Sequence, residues 1–175
     1  TNMMMERLAA PNGPTAGKIV RPSDGKEVKS IAFVQCAGSR DENHLPFCSY
    51  ICCLASLKQA TYIRELYPDS KAKIFYIDMR TPGLYENRFY TKIKEDQNVS
   101  FLKGKVAKIE QAQNGDVAVT AEDIHGGGKI TETFDMVVLA TGMEPTSRSL
   151  KGAGVAATDD GFVDQATLPK GIYAT

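Results

Sequence analysis

The chain has 175 residues and 19.0 kDa, is 42% hydrophobic and 24% charged, and balances 21 Lys and Arg against 21 Asp and Glu. That length supports a real core, burying roughly 70% of the unfolded surface, and the composition excludes a disordered, collagen-like or low-complexity chain. Zero net charge without a basic block argues against nucleic acid as a partner. Apolar runs such as Met136 to Ala140 fall far short of the roughly 20 residues that cross a bilayer, and Thr1 to Val20 lacks the basic start and apolar centre of a signal peptide.

From Thr1 to Val28 the sequence carries Pro11, Gly13, Pro14, Gly17, Pro22 and Gly25 with little periodicity, which predicts an extended, turn-rich segment. So long a loop is unusual inside a compact domain, and residues 1–28 are expected to be an extended segment belonging to a flanking element. Ile31 to Val34 is a short apolar run of the kind that forms a strand buried on both faces, followed by a loop from Cys36 to Phe47. Ser49 is placed to cap a helix from about Tyr50 to Leu66, whose Ile51, Leu54, Leu57, Ile63 and Leu66 recur near helical spacing before Pro68. Lys73 to Ile77 predicts a second strand. Thr81-Pro82-Gly83 then turns into a second helix, about Leu84 to Asp96, with Tyr85, Phe89 and Ile93 on one face. Val99 to Leu102 predicts a third strand, so the order is that of a parallel Rossmann-type half.

The rhythm then changes to period two. Val106 to Glu110, Val117 to Ile124 and Lys129 to Phe134 are separated by Asn114-Gly115 and by Gly126-Gly127-Gly128, which predicts an antiparallel three-stranded meander. Met136 to Ala140 is a further buried strand leading into Thr141-Gly142, and Lys151 to Thr175 is irregular. The expected fold class is therefore α/β: a Rossmann-like three-layer domain with a parallel sheet and an inserted meander over residues 29–145, followed by a separate segment, 146–175.

The four cysteines, Cys36, Cys48, Cys52 and Cys53, all fall in one window of 18 residues, where a secreted disulfide scaffold would spread them. Four thiolates are the usual complement of a cubane 4Fe-4S cluster, and their soft charged sulfur suits its iron. A helix starting at Ser49 would put Cys52 and Cys53 in its first turns, where free N–H groups and the positive dipole end favour thiolates. Those two diverge by about 100° around a helix, so one cluster requires the loop to wrap it, with Cys36 at the fourth corner. Zinc, a redox-active dithiol and structural thiols are the alternatives. Zinc sites usually show two paired-cysteine knuckles, whereas the grouping here is one plus three. His44 is a candidate substitute ligand.

A dinucleotide site would need G-x-G-x-x-G after the first strand. Cys36-Ala37-Gly38-Ser39-Arg40 stands there instead, with Gly38 its one glycine, so NAD(P) binding is expected to be weak or absent. Asp78, ending the second strand, is placed like an acidic ribose ligand or like a cap of the next turn, and Arg80 like a 2'-phosphate partner.

The meander before a strand ending in Ala140-Thr141-Gly142, with Gly161-Phe162-Val163-Asp164 and Leu168 to Ala174 behind it, resembles the nicotinamide half of two-dinucleotide-binding flavoproteins such as the thioredoxin reductase group. Cys36-Ala37-Gly38-Ser39-Arg40-Asp41 with Cys48-Ser49-Tyr50-Ile51-Cys52-Cys53, and Tyr76 to Gly83 leading to Phe89-Tyr90, are more specific. Over about residues 30 to 175 they resemble the heterodisulfide reductase A-subunit family and its relative, the A-subunit of the quinone-interacting membrane-bound oxidoreductase complex of sulfate reducers. The resemblance implies an oxidoreductase component that carries electrons through FAD and a 4Fe-4S cluster bound by Cys36, Cys48, Cys52 and Cys53. Gly38, Asp78, Thr141 and Gly142 become its cofactor-binding positions, residues 1–28 are expected to come from the flanking FAD domain, and 146–175 to return toward it. It implies sulfur metabolism in an anaerobe, a cytoplasmic place, and other redox subunits as partners in a soluble complex or one joined peripherally to a membrane. The family's N-terminal Gly-rich FAD fingerprint is absent, so the chain reads as a piece of a longer protein, expected alone to hold no FAD and to be inactive. Rival functions are an NAD(P)-binding domain without a cluster and a zinc-stabilised interaction module.

Overall fold

The computed structural model describes residues 1–83, 86–147, 152 and 154–169, and of 86–88 the backbone only. Leu84 and Tyr85, which the sequence places at the start of the second helix, and residues 170–174 of the tail motif lie outside the described residues. The strands are β1 (Ser30–Val34), β2 (Lys71–Tyr76), β3 (Val99–Lys103), β4 (Val106–Gln111), β5 (Val117–Glu122), β6 (Lys129–Phe134) and β7 (Met136–Leu139). The α-helices are α1 (Asn2–Ala9), α2 (Cys52–Leu66) and α3 (Lys92–Glu95).

β1 is central in a parallel sheet of order β3-β2-β1-β7, and β4-β5-β6 form the separate antiparallel meander. Its run of apolar residues follows from that position, since both faces are covered. Ile31 and Phe33 pack with Leu57, Ala60 and Ile63 of α2, while Ala32 and Val34 pack with Val119, Ala121 and Phe134 of the meander. Burying each large side chain contributes about 1.5–3 kcal/mol. The result is the three-layer α/β fold that the sequence predicts: helices, parallel sheet, meander. Gly104 is where the chain passes from β3 toward the meander. A Cβ there would stand 1.6 Å from the Glu122 carbonyl oxygen, so no other residue fits without moving backbone.

Three local expectations are corrected. Asn2–Ala9 is helical, not extended, because the prolines and glycines begin only at Pro11 and Met5 finds a fully buried place in the core. α1 is held on α2 by polar bonds: Asn2 Nδ2 donates to Gln59 Oε1 at 2.8 Å, Gln59 Nε2 donates to Glu6 Oε1 at 2.9 Å, and Lys58 pairs with Glu6 at 2.9 Å. Farther along the same segment, buried Arg21 donates to Asp116 Oδ1 at 2.7 Å and to the Asn114 carbonyl at 2.9 Å, tying residues 1–28 to the meander. Ser49 does not cap α2. The helix starts at Cys52 after Ile51, because Tyr50 adopts a left-handed conformation (φ 58°) that helical residues do not share. The second helix is a π-helical turn, Glu86–Thr91, followed by the short α3, with Ile93 buried and Phe89 and Tyr90 half-buried against the core.

Thr1–Gly142 form one compact unit and Met143–Thr175 a second. In the second, Ala157 bridges Val163 and the Asp164 side chain caps a 3-10 turn, Gln165–Thr167. No helix among the described residues is long and apolar enough to cross a membrane. Met5→Ala is expected to destabilise the chain by about 2–5 kcal/mol, measured by urea denaturation. An unchanged midpoint would show that α1 is not part of the core.

Candidate functional site

Gln35 extends β1 by one ladder bond, its N–H donating to the Phe75 carbonyl at 3.0 Å, and Cys36 then turns the chain with φ 54°. The Ala37 N–H returns to the Ala140 carbonyl at 3.0 Å, just beyond β7. The loop closes on itself through Leu45 N–H to the Gly38 carbonyl at 3.1 Å and Arg40 N–H to the Phe47 carbonyl at 3.2 Å. It delivers Cys48, then the turn at Tyr50, then Cys52 and Cys53 as the first two residues of α2.

All four thiols stand within electrostatic reach of one another: each of the six sulfur pairs is close enough for one thiolate to disfavour the other. Burial pushes the Cys36 thiol up, with Cys48 adding to it and Arg40 opposing it. Burial likewise raises Cys52, and it pushes Cys53 up to about 11. Every thiol also faces an N–H donor. The Arg40 guanidinium serves Cys36, the Tyr50 N–H lies 3.4 Å from Cys48 Sγ, the Gly142 N–H serves Cys52 and the Arg80 N–H serves Cys53.

The other predicted positions lie around this group with different partners. Asp78 is gripped by Arg80, Nε to Oδ2 at 2.8 Å, and by Arg40, and these two, Arg80 foremost, hold its carboxyl below the usual carboxylate range. Arg80 also lies over the Tyr50 ring, 5.5 Å from its centre. Gly38 is exposed with φ 96°, and Thr141 is exposed beside Gly142. His44 is exposed and turned to Asp41 at 3.4 Å. The Arg40–Asp78–Arg80 pairing is not legible in the sequence beyond the Asp78-x-Arg80 spacing, because Arg40 comes from another loop. Nor is Gln35, whose carboxamide is buried with neither end partnered, at a cost of about 1–3 kcal/mol.

Among the described residues, no group of three or more His, Cys, Asp or Glu converges as the ligands of a single ion must. Zinc requires that convergence, with sulfurs about 2.3 Å from one centre, whereas a cubane offers separate irons to four thiolates. Four thiols at one edge with an N–H donor on each, and an unpaired buried amide in the residue before Cys36, fit an anionic iron-sulfur group.

No family model matches the chain. It is 38% identical over 171 residues to the CoB–CoM heterodisulfide reductase iron-sulfur A-subunit 2 of Methanopyrus kandleri, covering 95% of this chain and 26% of that protein. It is 36% identical over 186 aligned positions to the A-subunit of the H2:CoB–CoM heterodisulfide,ferredoxin reductase of Methanothermobacter thermautotrophicus, covering 99% of this chain and 28% of that one. This chain is a homologue of part of the heterodisulfide reductase A-subunit. A third relative, the A-subunit of the ferredoxin:CoB–CoM heterodisulfide reductase of Methanosarcina mazei, is 38% identical over 155 residues, 88% of this chain and 19% of that protein. The chain thus spans between 19% and 28% of the length of these relatives. Its fold is shared with thioredoxin reductases. T. acidophilum thioredoxin reductase matches 81% of this chain and 41% of its own at a TM-score of 0.51 and 17% identity, and the Lactococcus lactis enzyme matches 77% and 38% at 0.51 and 10%.

Of the four thiols, Cys53 is expected to alkylate slowest in the metal-free chain at pH 8, since it is 7% exposed and burial keeps it protonated until pH approaches about 11. Mass spectrometry of timed iodoacetamide labelling reads this, and Cys53 labelling first would contradict the burial described.

Proposed function

We propose that this chain supplies the cluster-bearing, nucleotide-domain-like portion of a flavin and iron-sulfur electron-transfer oxidoreductase of heterodisulfide reductase A type. Cys36, Cys48, Cys52 and Cys53 hold a 4Fe-4S cluster, and FAD is held by the whole protein. The observation that carries this is the meeting of the four thiols, each with an N–H donor, at the carboxyl edge of the parallel sheet. When bound, the cluster takes up and releases single electrons.

The chain's own residues do the holding. Loss of the four thiol protons on loading supplies the ligand charge. The Gly142 and Arg80 N–H groups and the free amides of the first turn of α2 stabilise that charge. Arg40 sets a cation beside Cys36, and Asp78 fixes both guanidinium groups in place. Other redox subunits are the partners, and sulfur metabolism is the setting that the relatives' names support.

Anaerobic reconstitution with iron and sulfide tests the reading. The expected result is about four iron and four sulfide per chain, with iron content lowered in Cys36→Ser, Cys48→Ser, Cys52→Ser and Cys53→Ser alike. No iron uptake, or four serine variants that behave as the parent does, would overturn it. Stoichiometric zinc without sulfide would favour an interaction module instead.

A further inference from the structure

Among the described residues, buried side-chain polar atoms without a partner occur in two places: Arg21, through Nε alone, and Gln35, through both Nε2 and Oε1. The other nitrogens of Arg21 are bound to Asp116 and Asn114, so its cation is served. Gln35 has no side-chain partner, and at 6% exposure bulk water does not replace one. Folded chains bury an amide in this way when something else completes it.

The position of Gln35 points to what that is. It follows Val34, the last residue of β1, and precedes Cys36. Its backbone still belongs to the ladder, donating to the Phe75 carbonyl at 3.0 Å. Alternation along β1 sends Ile31 and Phe33 to the α2 face, and Gln35 follows them at the end where α2 opens with Cys52 and Cys53. An apolar residue here would join the core at no polar cost. A carboxamide, donor at one end and acceptor at the other, is of use only to a polar partner, and an anionic group calls on its N–H end.

We propose that the Gln35 carboxamide is a positioning group for the cluster, its Nε2–H donating to a sulfur at the cysteine site. This rests on the reading of the four cysteines as cluster ligands. A neutral N–H directed at sulfur stabilises the more negative, reduced state and so raises the reduction potential. It does so without adding a charge to a site where Arg40 and Arg80 are already paired with Asp78.

Gln35→Leu and Gln35→Met are reconstituted anaerobically with iron and sulfide beside the parent. Iron content, the EPR signal of the reduced form, the midpoint potential and the melting temperature before and after loading are measured. The expected result is a more negative midpoint potential in both variants at parental iron content. Before loading, their melting temperatures should equal or exceed the parent's, because an apolar side chain replaces an unpaired buried amide. Failure of both variants to retain iron while melting like the parent before loading supports the same role. Equal potentials at equal iron content overturn the role of Gln35 and leave the cluster reading standing. Variants that melt well below the parent before loading also overturn it, since the amide then serves the fold. A parent that takes up no iron overturns both readings together.

Discussion

The cysteine site depends on the ladder that holds β1 between β2 and β7. Val34 accepts from the Ala140 N–H at 2.9 Å, Gln35 donates to Phe75 at 3.0 Å, and Ala37 donates back to Ala140 at 3.0 Å. These bonds stop three parallel strands at one edge. Whatever follows each strand must therefore emerge there: Cys36 after β1, Asp78 to Arg80 after β2, and Thr141-Gly142 after β7. The helix that returns from β1 starts at that same edge, so α2 brings Cys52 and Cys53 to it with unsatisfied N–H groups. Residues as far apart in sequence as Ala37 and Ala140 meet because parallel pairing brings the ends of β1 and β7 to one edge.

The loop that completes the site is held in conformations that ordinary residues avoid. Of the four non-glycine residues with positive φ among the described residues, three are Cys36, Arg40 and Tyr50, and each such residue costs about 1–3 kcal/mol. To this the site adds four thiols gathered at one edge, whose ionised forms would disfavour one another, and a buried unpaired amide. The well-packed core on either side of β1 offsets those costs. Strain, crowded thiols and unmet hydrogen bonding thus concentrate around one loop, and these are features that a loop selected for stability alone would relax.

The strands and the meander were legible because burial on two faces and burial on one face write different periods, a continuous apolar run in Ile31 to Val34 and alternation in Val117 to Glu122. The clustering of the cysteines was equally open, being a matter of spacing. What escaped was tertiary. α1 has no side-chain cap, and three consecutive methionines carry no clear face until Met5 alone proves buried. The start of α2 slips from Ser49 to Cys52 because Tyr50 takes a left-handed turn that its residue type does not announce. Asp78 carried a nucleotide-like signature at the end of β2, and its two arginines answer that charge from within the protein.

Gly142 shows how one geometry can serve either chemistry. With φ 85° it lies so close to the cysteine loop that a Cβ would stand 2.9 Å from Ser49 Oγ, 3.1 Å from Leu45 Cδ2 and 3.2 Å from Ser39 Cβ. Glycine is thus required for backbone approach, the same reason that dinucleotide folds place glycines where a pyrophosphate must come near. Here the approach ends on a cysteine, with the Gly142 N–H serving Cys52. The carboxyl edge and the helix N-terminus suit an anion of either kind, phosphate or metal-bound sulfur. Where a dinucleotide fold would set a glycine-rich turn against that edge, the first loop sets the thiol of Cys36 and the guanidinium of Arg40 there instead.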